Sequence, residues 1–207
     1  MNQYVSYQPS VIADAVYYVI LYSALLCTAL PVYYVLLWKF LGFWRKHNIM
    51  FYVFLVALVS GTFAGFYLTC NDWLLWYNAF PQYLQMIGLV LFAASFIIMR
   101  ISHYHLDLKT VLFLSALRQT HGGLMTKGIY GIVRHPIYSV IPLLILGAFL
   151  FTGEFMLVYP FAANLLLRWY YARLEDKYLK VTYGEEFVSY MKQTPNRFYP
   201  RLVRAKA

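Results

Sequence analysis

The sequence predicts an all-α, polytopic membrane protein with about five transmembrane helices, the last two of which form a helical hairpin. Two observations carry this prediction. The 207 residues are 62% hydrophobic and only 12% charged, a composition outside the range of soluble globular domains. Several stretches are also apolar over about 20 residues, which is the length that an α-helix needs to cross the hydrocarbon core of a bilayer.

The predicted spans lie at residues 12–38, 50–70, 82–100, 137–152 and 155–170. The fourth and fifth are joined only by Gly153 and Glu154, and this short connection predicts a tight hairpin. The chain is expected to form a single membrane domain: residues 1–100 contain three N-terminal spans, and residues 101–207 contain a polar loop, the hairpin and a C-terminal tail. In the tail, the pattern predicts a helix to about Tyr183, a break at Gly184 and then an amphipathic segment.

The basic residues predict the orientation of these spans. All 17 Lys and Arg residues lie in segments 39–49 and 100–136 or from residue 168 onward, and the connections at 1–11, 71–81 and 153–154 contain none. The positive-inside rule then predicts an N-terminus outside and a C-terminus in the cytoplasm, in a plasma or inner membrane or, in a eukaryote, the endoplasmic reticulum. Because this basic charge lies beside spans, the net charge of +9 indicates contact with lipid headgroups and not with nucleic acid.

Ionisable residues are concentrated where the polar loop enters the fourth span. Arg134, His135 and Tyr138 lie at this membrane mouth, where such side chains are costly unless they have a function. Pro136 suits the first turn of a helix, a helix N-terminus favours an anionic group, and His135 and Tyr138 would share one helix face. Two interpretations stay open: a ligand site, or a simple membrane boundary at which Arg134 reaches headgroups and His135 caps the helix.

An acidic pair, Glu175 and Asp176, follows the last span. Because the hairpin leaves and returns to one side of the membrane, this pair is expected on the same face as His135. The pair either contributes to a site or neutralises neighbouring Arg173 and Lys177. The histidines do not show the repeated boxes of membrane di-iron enzymes, so no metal site is predicted.

Two ordered motifs point to a family. The first combines Leu-Met-Thr-Lys-Gly-Ile-Tyr at 124–130 with Arg-His-Pro-Ile-Tyr at 134–138. The second combines Glu-Asp at 175–176, Tyr-Gly-Glu-Glu-Phe at 183–187, Tyr190 and Pro-Asn-Arg-Phe-Tyr-Pro at 195–200. Together they resemble the isoprenylcysteine carboxyl methyltransferase family of integral-membrane enzymes, with its bacterial and archaeal relatives. The resemblance covers about residues 105–201, and the first spans match only as apolar helices.

The resemblance implies S-adenosyl-L-methionine as methyl donor, bound in a cytoplasmic pocket, and a lipidic or prenylated acceptor that resembles either an isoprenylcysteine carboxylate or a phospholipid. By motif position, the cofactor would contact Gly122, Gly123, Leu124, Met125, Tyr130, His135, Tyr138 and Glu175. The expected substrate-carboxylate arginine is replaced by Tyr171. The substrate-orienting candidates are therefore Arg168, one turn earlier on the same helix face, Tyr171 itself and Arg134.

Two other functions are compatible with parts of the sequence. Membrane reductases of the sterol type, which use NADPH, have related Arg-His-Pro runs, but the Gly-Glu-Glu-Phe and Pro-Asn-Arg-Phe stretches favour the methyltransferase. A non-catalytic membrane protein is the third alternative, and no span centre carries a clear ion-relay residue in its favour.

Overall fold

The computed structural model describes residues 11–70, 80–106, 110, 114–118 and 123–200. All regular structure in these residues is helical. The helices are α1 (Val11–Thr28), α2 (Leu30–Lys39), α3 (Leu41–Lys46), α4 (Asn48–Cys70), α5 (Gln82–Tyr104), α6 (Leu114–Arg118), α7 (Pro136–Thr152), α8 (Val158–Tyr183) and α9 (Glu185–Gln193). Short 3-10 turns lie at Gly128–Gly131 and Phe155–Leu157. The predicted all-α fold is confirmed.

Each predicted span falls on helical structure. The helical stretch formed by α1 and α2, and the helices α4 and α5, are long and apolar enough to cross a membrane. The fourth span corresponds to α7, whose 17 residues reach about 25 Å, less than the roughly 30 Å of a bilayer core. The fifth becomes the first half of α8, which continues into a charged second half. The membrane fold is therefore confirmed, and its hairpin consists of one short buried helix and one long helix that leaves the apolar region.

The first span bends at Ala29, between α1 and α2. Pro31 lies in the first turn of α2 and lacks the N–H that would continue the helical ladder. The ladder resumes where the Tyr33 N–H donates to the Ala29 carbonyl at 3.0 Å. After this bend, Tyr33 and Tyr34 are both buried in the core. The proline thus helps to direct an aromatic side chain of α2 towards the centre of the protein.

Two glycines allow α5 and α7 to cross at very short distance. A Cβ atom on Gly88 would lie 2.7 Å from the Gly147 carbonyl oxygen, and a Cβ on Gly147 would lie 2.6 Å from the Phe92 nitrogen. These neighbours are backbone atoms, so no side-chain rotation can make room for a larger residue. Small residues at such a contact are typical of helix pairs in membranes, where close backbone approach provides the packing energy.

The α7–α8 hairpin forms the centre of the bundle. Most residues of α7 are buried, and its neighbours include α1, α5 and α8. Gly153 ends the helix with a positive φ of 76°, a backbone conformation that glycine adopts without steric cost. Next to it, the carboxylate of Glu154 is buried and accepts a hydrogen bond from the Tyr17 hydroxyl of α1. The turn predicted from Gly153 and Glu154 is therefore tied to the first helix.

The second half of α8 leads to a compact C-terminal region. α8 ends at Tyr183 and Gly184 has a φ of 55°, which allows the chain to reverse into α9. α9 packs against α8, and its apolar side chains Phe187 and Tyr190 are buried. The predicted break at Gly184 and the amphipathic segment after it are confirmed.

Candidate functional site

A cavity of about 410 Å³ opens where the polar loop, α8 and α9 meet. Its volume lies within the range of about 300–1,000 Å³ that is common for small-molecule sites. The cavity is lined by the end of α5, by residues 123–138, by the charged half of α8 and by α9, with Tyr34 of α2 as part of its wall. Segments that are far apart in sequence therefore converge here because the hairpin returns α8 to the face at which α7 begins.

The 3-10 turn at Gly128–Gly131 shapes one side of the cavity. Gly128 has a φ of 60°, and a Cβ atom there would lie 2.4 Å from Nε2 of His105. Glycine is required at this position both by the backbone angle and by the close approach of the histidine ring. The turn buries Tyr130, whose carbonyl accepts a hydrogen bond from the Tyr190 hydroxyl at 2.7 Å. The turn is thereby joined to α9.

His135 lies between the two carboxylates of α8. Its Nε2 is 2.8 Å from Oδ1 of Asp176, and its Nδ1 is 3.2 Å from Oε2 of Glu175. Burial alone would lower the pKa of His135, but the hydrogen bond with Asp176 and the negative charges of Asp176 and Glu175 outweigh it and raise this pKa above its ordinary value. The ring therefore acts as a cationic link between two anions, with both nitrogens occupied.

Asp176 is the hub of this network. Its Oδ2 accepts hydrogen bonds from Nε and Nη2 of Arg197 at 3.1 and 2.7 Å, and Nη2 of Arg134 lies 3.7 Å away. Burial alone would raise the pKa of Asp176, but the hydrogen bonds from His135 and Arg197 and the nearby charges bring it below its usual range. A buried carboxylate surrounded by three cations stays ionised.

The residues 194–198, which we call the C-terminal strap, cover the start of α7. The backbone N–H groups of Arg134 and His135 donate to the carbonyls of Asn196 and Arg197 at 3.0 and 2.9 Å. Nη1 of Arg134 also donates to the Thr194 carbonyl at 2.7 Å. The strap therefore binds both the backbone of the Arg-His-Pro run and the side chain of Arg134, and it holds this run beside α8.

Aromatic rings form the deep wall of the cavity. Tyr138 packs against Tyr34 and Tyr171 with ring centroids 4.7 Å apart in each case, and it stacks on His135 at 5.3 Å with an interplanar angle of 7°. The predicted sharing of one helix face by His135 and Tyr138 is thus present as a direct ring stack. Aromatic faces of this kind attract cations, most strongly where water is excluded.

Seven of the eight residues predicted to contact a cofactor line this single cavity: Gly123, Leu124, Met125, Tyr130, His135, Tyr138 and Glu175. The eighth, Gly122, lies outside the described residues. The alternative interpretation, in which the His135 side chain caps the helix, is wrong. His135 occupies the N-cap position of α7, but its side chain makes no capping hydrogen bond and its ring faces Glu175 and Asp176.

The three substrate-orienting candidates are in different environments. Arg134 lines the cavity but is already paired with the strap and with Asp176. Tyr171 is completely buried in the aromatic wall. Arg168 does not line the cavity: its guanidinium donates to the Tyr199 hydroxyl at 2.6 Å and covers the ring of Phe198. The shared helix face expected for positions 168, 171 and 175 therefore does not bring Arg168 to the cavity.

Other cavity residues were not predicted from the sequence. Tyr34, Leu179, Tyr183, Phe187 and Tyr190 line the cavity, as do His103 and His105 at the end of α5. The amphipathic pattern of α9 was the signal available for the aromatic residues. No local signal identifies Tyr34, which comes from a distant helix. The alternative in which the acidic pair neutralises Arg173 and Lys177 does not hold for Asp176, which pairs instead with His135, Arg134 and Arg197.

Among the described residues, the structure brings together no group of three or more His, Cys, Asp or Glu side chains that could hold a metal ion. The Nδ1 atoms of His103 and His105 lie 2.9 and 2.8 Å from the carbonyls of Met99 and Ile101, one helical turn earlier. These rings are thus oriented by their own helix.

Comparison with known proteins gives a family. No curated protein and no solved structure matches the chain. A family model described as phospholipid methyltransferase matches residues 83–186, half of the chain, and this match includes both the Arg-His-Pro run and the acidic pair. With its apolar helices, the chain is an integral-membrane protein. The chain belongs to the phospholipid methyltransferase family, within the isoprenylcysteine carboxyl methyltransferase-like group of membrane methyltransferases.

Proposed function

We propose that this protein transfers a methyl group from S-adenosyl-L-methionine to the amine headgroup of a phospholipid. The observation that carries the proposal is the charge pattern of the cavity, in which the Glu175 carboxylate lies among tyrosine rings and, although it is ion-paired with His135, keeps a buried oxygen that receives no hydrogen bond. Arg134 is the arginine among the described lining residues. Its Nη1 donates to the Thr194 carbonyl and its Nη2 lies 3.7 Å from Asp176, whereas its Nε is buried without a hydrogen-bond partner. The cavity is therefore suited to cationic ligands.

The residues present fit the proposed methyl donor. Oε2 of Glu175 is buried and receives no hydrogen bond, although it lies 3.2 Å from Nδ1 of His135. An acceptor in this state is suited to the amino group or a ribose hydroxyl of the donor. The tyrosine rings of the wall suit a sulfonium cation, and the first turn of α7 suits the donor's carboxylate. When bound, the donor would supply an electrophilic methyl group on positively charged sulfur.

The same charges distinguish between the two acceptor types. A prenylcysteine carboxylate needs a cation to hold it. Arg168 contacts Tyr199 and does not line the cavity, and the position of the expected arginine is occupied by buried Tyr171. An amine headgroup needs anions or aromatic faces, which the cavity offers. This contrast, together with the family's description, supports a phospholipid amine as acceptor.

The protein's contribution to the reaction would be alignment and exclusion of water. The amine nitrogen must approach the methyl carbon from the side opposite sulfur, and holding two reactants in this geometry provides much of the rate enhancement in such transfers. His135 would hold the Glu175 carboxylate in place through the ion pair, while Phe187 and Tyr190 of α9 close one side of the cavity. We also propose that the cavity opens on the cytoplasmic side, because all Lys and Arg residues group in the connections on one side of the predicted spans and the positive-inside rule favours that side.

Calorimetry on the detergent-purified protein tests the donor. S-adenosyl-L-methionine should bind, and Glu175→Gln should weaken this binding about 10- to 150-fold, the equivalent of one charge-assisted hydrogen bond of about 1.5–3 kcal/mol. His135→Ala should weaken it as well, because Glu175 loses its ion pair. Glu186→Gln is the matched control, since Glu186 is an exposed carboxylate on α9. Binding of NADPH without binding of the methyl donor would refute the proposal.

The acceptor is tested by incubation with radiolabelled donor and defined lipids. Methyl incorporation should require an ethanolamine-type headgroup and should be absent with a prenylcysteine carboxylate. Methyl incorporation only into the prenylcysteine carboxylate would show that the protein is a methyltransferase but would contradict the assignment of an amine as its acceptor.

A further inference from the structure

We propose that His103 is a catalytic residue of this methyl transfer and that its Nε2 accepts the proton that the amine headgroup must lose. The inference rests on the proposed function, because a carboxylate acceptor has no proton to lose and needs no base. An ammonium group has no lone pair for attack, so an enzyme that methylates amines requires a proton acceptor at the site.

The geometry of His103 identifies which nitrogen is available. Nδ1 lies 2.9 Å from the carbonyl oxygen of Met99. A carbonyl oxygen can only accept, so the proton of the neutral ring is on Nδ1 and the lone pair is on Nε2. The ring is half-buried at the end of α5 and lines the cavity. His103 therefore offers a fixed proton acceptor to this space.

The other two histidines of the cavity are less suited to this role. Both nitrogens of His135 face carboxylates, so its ring holds its proton and has no vacant position. The Nε2 of His105 lies against the turn at Gly128, at 2.4 Å from the position of a Cβ atom there. Among the histidines that the structure describes at the cavity, His103 is the one whose Nε2 faces neither a carboxylate of α8 nor the turn at Gly128 in any described contact.

The reaction then proceeds in balanced steps. Nε2 of His103 takes one proton from the ammonium headgroup, which leaves a neutral amine with a lone pair. This lone pair forms the new C–N bond as the C–S bond of the donor breaks, and the electrons of that bond remain on sulfur, which becomes a neutral thioether. The product is a methylammonium, and the proton on His103 is released to water at the mouth of the cavity.

The charges around the cavity are consistent with this direction of transfer. An ammonium beside the donor's sulfonium is a like-charge pair, which favours loss of the ammonium proton. The other titratable groups facing the cavity among the described residues are its tyrosines, the carboxylates Glu175 and Asp176, and the basic residues His105, Arg134 and His135. Arg100 lies one turn before His103 on α5. Asp176 and Arg134 are paired within the His135 network, so their charges are largely balanced.

The test is the pH dependence of single-turnover methyl transfer to a phospholipid amine. The wild-type rate should rise with pH as the His103 ring loses its proton. His103→Gln keeps a polar side chain but cannot accept a proton, and it should lower the rate at pH 7 about 100-fold or more. The deficit should shrink towards pH 10, near the ordinary pKa of a primary amine, because the headgroup then arrives deprotonated.

Two further measurements separate a catalytic role from a structural one. Added imidazole should restore part of the activity of His103→Ala but not of Glu175→Gln, and both His103 variants should bind S-adenosyl-L-methionine like the wild type. His47→Gln, an exposed histidine at the end of α3, is the control and should change nothing. A His103→Gln variant with an unshifted pH profile, or a wild-type rate that follows only the titration of the free amine, would overturn the inference. If the wild type methylates no amine, the proposed function fails, and this inference fails with it.

Discussion

Replacing Asp176 by asparagine should destabilise the protein by about 3 kcal/mol, although the two side chains have the same shape. Asp176 is only 8% exposed and accepts hydrogen bonds from His135 and Arg197, with Arg134 close by. An amide is neutral and has one acceptor oxygen, so at least one of these cations loses its partner and another meets an N–H group of the amide.

The magnitude follows from the partners. Removal of one member of a buried ion pair costs about 3–5 kcal/mol, because the remaining charge is buried without compensation. The lower end applies here for two reasons. His135 retains its ion pair with Glu175, and the side chain of Arg197 is 21% exposed and can turn towards water. The side chain of Arg134 is only 8% exposed and cannot turn towards water, so its unpaired charge should account for most of the lost stability.

Thermal unfolding of the purified protein in one detergent measures this loss. For a chain of this size, about 3 kcal/mol lowers the midpoint by roughly 6–12 °C. Glu186→Gln removes the same charge from the surface and should shift the midpoint by no more than about 2 °C. Arg197→Gln should cost less in the Asp176→Asn background than alone, since its partner is already gone. A midpoint for Asp176→Asn within 2 °C of the wild type, or strict additivity with Arg197→Gln, would refute the hub role of Asp176.

Two further predictions concern packing and pH. Gly147→Ala should destabilise the protein by about 1–3 kcal/mol in the same unfolding assay, because the new methyl group would lie 2.6 Å from the backbone nitrogen of Phe92. Gly61→Ala is the control: a methyl group there would have no atom within 4 Å, so the substitution should be neutral or slightly stabilising. The pKa of Asp176 is lower in the folded protein than in the unfolded chain, so its contribution to stability is present above about pH 4 and is lost as the pH falls through the pKa of the folded state. The pKa of His135 is higher in the folded protein, so its contribution is present below about pH 6.5 and is lost as the pH rises through the pKa of the folded state. The unfolding midpoint should therefore be highest between about pH 4 and 6.5, and the acid-side decline should weaken in Asp176→Asn; a midpoint independent of pH from 3 to 9 would contradict this assignment.

The amino-acid sequence by itself determined the features that depend on short stretches of chain. Span positions follow from the length of apolar runs, the break at Gly184 follows from local backbone preference, and the grouping of basic residues follows from loop position. The Arg-His-Pro run and the acidic pair identified the family, and seven predicted residues line one cavity because their motifs lie beside helix ends that the hairpin places on one face.

Only the tertiary structure decided which side chains face each other. Arg168 and Glu175 lie on related turns of α8, yet Arg168 contacts Tyr199 while Glu175 faces His135. The role of Asp176 as a hub depends on Arg197 of the strap, 21 residues away in sequence. The contribution of Tyr34 depends on the bend at Ala29. Helical periodicity specifies a face of a helix, but the partner that occupies that face is set by the packing of distant segments, which also brings His103 of α5 to the same cavity as Glu175 of α8.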